Sequence, residues 1–384
     1  MSDARQIEAD IYERLSKVID PELGRSVTDL GMIAAIEAAP ASSDAGTYDV
    51  TVHVELTVPG CPLSETITSQ INGAVSSYPG AQLLPHIEVG SMSRDKLADL
   101  VADLKAERKQ NPFSKPGVKT RIFAIASGKG GVGKSSVTAN LAATFAALGF
   151  DTAAIDADIY GFSLPRLFGV HTQPTNLNGM LMPVTAWGVK LISIGMFAGA
   201  DRAILWRGPR LQRSLEQFLS DVWWGEPDVL LLDLAPGTGD MAISVAQALP
   251  NAELVVVTTP QPSASDIAVR SGLVALQVPM KVRGVVENMS YYEHKGEKLE
   301  IFGAGGGQRV SEQLTQALGY DVPLMAQLPL EPEVRETGEA GRRCWTPTAL
   351  CVRMALARPS EGWLNGCWQC EPAQPHTFVG GVGV

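Results

Sequence analysis

Residues 122–149 read IFAIASGKGGVGKSSVTANLAATFAALG, an apolar run, a glycine-rich loop and a helix-patterned segment in immediate succession. The loop itself, Gly128-Lys129-Gly130-Gly131-Val132-Gly133-Lys134-Ser135, fits G-x-x-x-x-G-K-[ST]. Glycines there let backbone N–H groups converge on phosphate oxygens without Cβ interference, and the helix N-terminus adds a favourable dipole. Lys134 is expected at the β and γ phosphates and the Ser135 hydroxyl at Mg²⁺. The flanking Ser136 completes the candidate nucleotide cradle. Such a loop needs a strand before it and a helix after it, so it restricts the chain to an α/β fold.

The rest of the chain agrees with that restriction. From Arg121 onward, the apolar runs IFAIAS, TAAIDAD, DVLLLDLA, ELVVVTTP and VRGVVENMS alternate with helical segments. Continuous β-branched runs suit strands buried on both faces of a parallel sheet. Phosphoryl transfer also requires carboxylates at neighbouring strand ends. Asp156 and Asp158 end TAAIDAD, and Asp233 ends DVLLLDLA. A lone strand-end aspartate often only caps the next turn. Three of them after a phosphate loop point to magnesium and water, with Lys134, Asp158 and Asp233 as candidate catalytic residues; Lys129 joins that set only through the resemblance given below. The following Pro236-Gly237-Thr238-Gly239-Asp240 is expected to sense the γ-phosphate and move when it leaves.

At 384 residues there is room for more than one domain. The expected architecture is a doubly wound, mostly parallel sheet NTPase domain preceded by a small α+β domain. Residues 1–92 are read as that small domain, from a helix-like IEADIYERLSKVI, a turn at Asp20-Pro21-Glu22-Leu23-Gly24, the alternating YDVTVHVELTV, and a helix opened by Gly60-Cys61-Pro62. Residues 93–120 read as a helical and basic linker, residues 121–343 as the ATPase domain and residues 344–384 as an atypical tail. A composition of 45% hydrophobic and 19% charged residues is that of a soluble globular protein. No signal peptide or membrane span is visible, so a cytoplasmic address is expected. A formal charge of −10 argues against nucleic-acid binding, and no basic amphipathic segment suggests a membrane.

Lys129 has no role in a single cradle. Here the chain resembles the deviant Walker A ATPases of the MinD/ParA class, where such a lysine implies a homodimer in which it reaches the partner's ATP. Residues 121 to about 341 are similar to the Mrp/ApbC/Nbp35 group of ATP-binding iron–sulfur cluster carriers, through SGKGGVGKSS, DADIYGFSLPRLFG, WRGP, DLAPGTGD, TTPQ, VENMS and IFGAGGG. Residues 1–92 resemble the MIP18/DUF59 domain through DPELG, TDLGMI and LTVPGCPLSE. The resemblance implies slow ATP hydrolysis with Mg²⁺, an ATP-dependent dimer switch, and delivery of an iron–sulfur cluster to apoproteins or an assembly scaffold. It also implies that Asn288 contacts adenine and that Asp158 lies near the attacking water. The alternative is a MinD/ParA-like regulatory or positioning ATPase without a cluster.

Two departures from the carrier pattern stand out. Ala235 replaces a proline usual in DLPPGTGD, with no consequence expected for the metal ligands. After Asn288-Met289-Ser290 the usual Cys-x-x-Cys pair is missing, and YYEHKGEKLEIFGAGGG stands there instead. His294 in that stretch is read as a solvated side chain. The remaining candidate iron–sulfur ligand is Cys61, at the start of a helix whose dipole favours a thiolate. Four of the five cysteines, Cys344, Cys351, Cys367 and Cys370, lie beyond residue 343. Cys and Trp codons both begin with TG, and reading one base earlier turns each into Leu or Val. The tail is therefore expected to be a frame-change product, poorly ordered, with Cys367 and Cys370 not selected as ligands.

Overall fold

The computed structural model describes residues 2–41, 46–57, 64–106, 111–115, 117–158, 161–197, 208–237, 240–278 and 280–342. Cys61, the Trp206-Arg207 pair, Thr238, Gly239 and the tail from residue 343 lie outside the described residues.

The first unit is built by two periodicities. Helix α1 (Ser2–Leu15) buries Ile7, Ile11 and Leu15, spaced four apart, and α2 (Ser64–Ser76) buries Ile67, Ile71 and Val75 in the same way. Strands β1 (Ile33–Pro40), β2 (Thr47–Leu56) and β3 (Gln82–Ser91) form a sheet in which β2 runs antiparallel to β1 and parallel to β3. Alternate residues Val50, Val52, Val54 and Leu56 of β2 turn into the core under both helices. Helix α3 (Arg94–Ala106) falls in the stretch read as linker, yet Val101 and Leu104 are buried in this same cluster.

The second unit carries, in chain order, β4 (Arg121–Ser127), α4 (Lys134–Ala147), β5 (Thr152–Ala157), the one-turn α5 (Leu164–Leu167), β6 (Thr175–Leu177), β7 (Met180–Met182), β8 (Val184–Ala186) and β9 (Val189–Ser193). After them come α6 (Gly208–Ser220), β10 (Val229–Leu234), α7 (Asp240–Ala248), β11 (Glu253–Thr258), α8 (Pro262–Gly272) and β12 (Lys281–Glu287). The hairpin β13 (Tyr292–His294) and β14 (Glu297–Leu299), α9 (Gly306–Leu318), β15 (Leu324–Gln327) and α10 (Pro332–Glu339) complete it. The eight-stranded sheet has the order β15-β12-β11-β4-β10-β5-β9-β8, and only β8 runs antiparallel to its neighbour.

The central strands are buried on both faces because helices cover both. Ile122, Ala124 and Ala126 of β4 enter one core with α6, α7 and α9, while Phe123 and Ile125 enter the other with α4. β10 and β11 divide their residues by the same alternation. At β4 the chain turns to both sides of the sheet, which places a crevice at the strands' carboxyl ends.

The two units share apolar packing. Leu177, Met180 and Met182, on β6 and β7, and Trp223 are buried in the cluster of the first unit. Leu181 faces the opposite way and packs against the sheet. Phe113 is buried in the ATPase core, and Asn111 Nδ2 donates to Ala248 O at 2.9 Å.

Candidate functional site

The glycine-rich loop joins β4 to α4. Gly131 and Gly133 both have φ of 82°, in the left-handed region where a Cβ is strained. Gly133 is the residue before α4, so Lys134 and Ser135 open the helix. The Asn288 side chain closes over this turn: its Nδ2 donates to Val132 O at 2.9 Å, and its own N–H donates to Thr258 O at 2.8 Å. A Cβ on Gly133 would strike that Asn288 amide.

Beneath the loop is a buried polar cluster. Lys134 Nζ lies 2.6 Å from Asp233 Oδ1, with side-chain exposures of 6% and 0%. Ser135 Oγ donates to Asp233 Oδ2 at 2.6 Å, and Thr138 Oγ1 donates to Oδ1 at 2.9 Å. Asp233 therefore holds the lysine and the hydroxyl expected to meet phosphate and magnesium. In the sheet register, Asp233 stands beside Ile125 on one side and Asp156 on the other, and Asp156 stands beside Ser193. Burial first, and the charge of Asp233 second, push the Asp156 carboxyl up to about 7, against the pull of the Leu164 N–H and of Lys134.

The three acids are not equivalent. Asp158 lines a cleft of about 550 Å³ together with Lys129, Gly130, Gly131, Val132, Gly133, Lys134, Ser135 and Ser136. Its Oδ1 accepts from Gly161 N at 2.9 Å. Asp156 was expected at the metal, but four protein donors occupy its oxygens: Asp158 N at 3.2 Å, Ser163 N at 3.0 Å, Leu164 N at 3.1 Å and Ser193 Oγ at 3.2 Å. Gly128 has a packing role as well. A Cβ there would strike the backbone of Ile267 and Ala268 in α8, so this glycine is needed for helix packing.

Several site residues escaped the sequence reading. Thr138 follows Lys134 by one helical turn, a spacing that could have been noticed. Arg166 and Leu167 of α5, and Val334, Arg335, Gly338 and Glu339 of α10, line the far wall of the cleft. No local pattern marks α10, because only packing against α5 brings it there. The stretch where carriers usually place their cysteine pair is the hairpin β13–β14, turned by Lys295 and Gly296 with φ of 53° and 83°. Among the described residues no three His, Cys, Asp or Glu side chains gather as a metal-binding set.

The hard oxygen donors Ser135, Asp158 and Asp233 fit magnesium, which prefers carboxylate and hydroxyl oxygen. The parallel sheet, the glycine cradle at its carboxyl edge and the buried lysine together define a P-loop nucleotide-binding protein. Residues 118–352 match the family of NUBPL iron-transfer P-loop NTPases, and the chain belongs to that family. Residues 8–82 match the iron-sulfur cluster assembly protein family. The iron-sulfur cluster carrier protein of Mycobacterium tuberculosis is 47% identical over 340 residues, 87% of each chain. That of Bacillus subtilis is 35% identical over 326 residues, covering 84% of this chain and 88% of the relative. A solved nucleotide-binding protein from Archaeoglobus fulgidus, in complex with ADP, aligns at 32% identity with a TM-score of 0.49, over 62% of this chain and 90% of that one. Among the described residues, no helix is long and apolar enough to cross a membrane.

Proposed function

We propose that the protein is a slow, Mg²⁺-dependent ATPase that carries an iron–sulfur cluster in the cytoplasm and delivers it to apoproteins through an ATP-dependent homodimer. The observation that carries this reading is the 47% identity to a cluster carrier along 87% of both chains. It is joined here to a complete cradle in which Lys129, Lys134, Ser135 and Asp158 line one cleft.

In this reading, phosphate oxygens compete with Asp233 for Lys134 and Ser135, and draw both toward the nucleotide. Asp233 and Ser135 then serve the metal, with Asp158 beside them. Magnesium held there would supply charge neutralisation to the phosphates. Asp158, the acid that lines the cleft, orients the attacking water. Asn288, which closes over the loop at Val132, sits on the adenine side. Lys129 is exposed on the loop and serves the partner's nucleotide. Cys61 is the cluster ligand we favour on this chain, and the cluster is cargo, not a resident cofactor. For residues 344–384 a frame change remains our reading, which sequencing of the gene from independent template tests.

The test is anaerobic reconstitution with iron and sulfide, followed by transfer to an apo-acceptor with and without ATP. Cluster absorbance, ATP-responsive transfer and loss of that response in Lys134→Ala are expected. A protein that hydrolyses ATP but acquires no cluster overturns the carrier reading in favour of a regulatory ATPase. Equal cluster content in wild type and Cys61→Ser removes Cys61 from it.

A further inference from the structure

The described residues place one carboxylate at the root of the segment that carries Asp158. Asp156 Oδ1 accepts the N–H of Asp158, and Oδ2 accepts the N–H groups of Ser163 and Leu164. A single side chain thus ties the beginning of that segment to its end. Ser193, beside Asp156 in the register and fully buried, donates to Oδ2 and accepts the N–H of Gly195 at 3.1 Å. The next strand end is therefore bonded to the same carboxylate. A second attachment lies outside this cluster. The ring of Phe162 rests on Gly195, where any Cβ would overlap it. Phe162 is 43% exposed, so core burial does not explain its position.

We infer that Asp156 and Ser193 are positioning residues and not metal ligands: with Phe162 seated on Gly195, they fix the segment bearing Asp158 against the end of β9 and so set the acid's place in the nucleotide cleft. A carboxylate whose two oxygens already accept four protein hydrogen bonds has little to offer a cation, and withdrawing it would leave buried N–H groups without partners. The inference rests on the ATPase reading for its kinetic consequence, but its structural consequence does not.

Ser193→Ala removes one donor to Asp156. Gly195→Ala forces the Phe162 ring away. Asp156→Asn offers one acceptor oxygen where two are used. All three should speed amide hydrogen exchange of Ser163 and Leu164 in nucleotide-free protein, while thermal melts confirm that the variants are folded. Single-turnover hydrolysis should fall about ten- to a hundredfold, because small misplacements of a catalytic group cost that much. ADP affinity and the Mg²⁺ concentration for half-maximal rate should stay within about twofold of wild type. In the Phe162→Ala background, Gly195→Ala should have little further effect, since the clash is gone.

Unchanged exchange at Ser163 and Leu164 in both Ser193→Ala and Gly195→Ala overturns the inference. So does a Mg²⁺ requirement raised by Asp156→Asn alone, with Ser193→Ala like wild type. Faster exchange in the variants, together with a wild type that hydrolyses nothing, would support the attachment and reject the ATPase reading, so the two failures are distinct.

Discussion

Lys134 Nζ stands 2.6 Å from Asp233 Oδ1, and both side chains are buried beneath the glycine-rich loop. The lysine of the glycine-rich loop and the strand-end acid thus form a buried ion pair within the protein. On the proposed reading nucleotide would take the lysine and magnesium would stand in its place beside the acid, so no bare charge would be exposed. The pairing also makes either residue costly to remove alone.

Lys134→Ala should abolish nucleotide binding and lower stability by about 3–5 kcal/mol, since Asp233 is left as a buried charge with only two hydroxyl donors. The double variant Lys134→Met, Asp233→Leu should recover much of the stability and none of the binding. Calorimetric titration with ADP and chemical denaturation measure the two effects. Nucleotide binding retained in Lys134→Ala would contradict the site.

Asp158→Ala should spare nucleotide binding and slow turnover by about a hundredfold or more, as expected for loss of a group that orients or deprotonates water. The acid lines the cleft but makes no bond to Lys134 or Ser135, so the cradle should stand without it. Fluorescent ADP binding and phosphate release test this, and wild-type release in the variant would exclude the role.

Lys129 lines the cleft and is exposed, as a residue serving a partner's site must be. Mixing Lys129→Ala with wild type should depress activity below simple dilution, and ATP should shift the sedimentation coefficient to that of a dimer. A monomer with ATP at every practical concentration would contradict the homodimer.

Met180 is buried in the cluster of the first unit although it belongs to β7 of the ATPase unit. Met180→Asp should cost several kcal/mol by placing a charge in that apolar contact, and should split one thermal transition into two. Calorimetry decides it, and a single transition at the wild-type temperature would show that the contact does not couple the units.

Asp20 and Glu22 share one turn, and burial raises both carboxyl groups above their ordinary values, Glu22 also through the charge of Asp20. For an acid raised in the folded state, the stabilising contribution is complete below the unfolded value and is lost as pH rises through the folded one. Asp20→Asn keeps a carbonyl for the Glu22 and Leu23 N–H groups, both of which bond to Oδ1. The variant should therefore gain more thermal stability, relative to wild type, at pH about 7 than at pH about 3.5. Equal differences at the two pH values would remove the buried charge as the cause.

The stretches that became central strands were legible because burial on both faces demands continuous apolar runs, as in IFAIAS and DVLLLDLA. The short edge strands β8 and β15 were not, since three or four residues paired on one side leave little pattern. The phosphate cradle was legible too, because its chemistry is carried by consecutive residues whose types follow from backbone approach to phosphate. The same sequence put Asp156, Asp158 and Asp233 at strand ends but could not rank them. That ranking depends on which donors lie across the sheet and which acid faces the cleft: Ser193 comes from β9, and the far wall comes from α10. Residues so distant along the chain meet only when strands take their register and helices their packing. The identities of the charged groups were thus written locally, whereas tertiary contact decided which lone pairs were already spent.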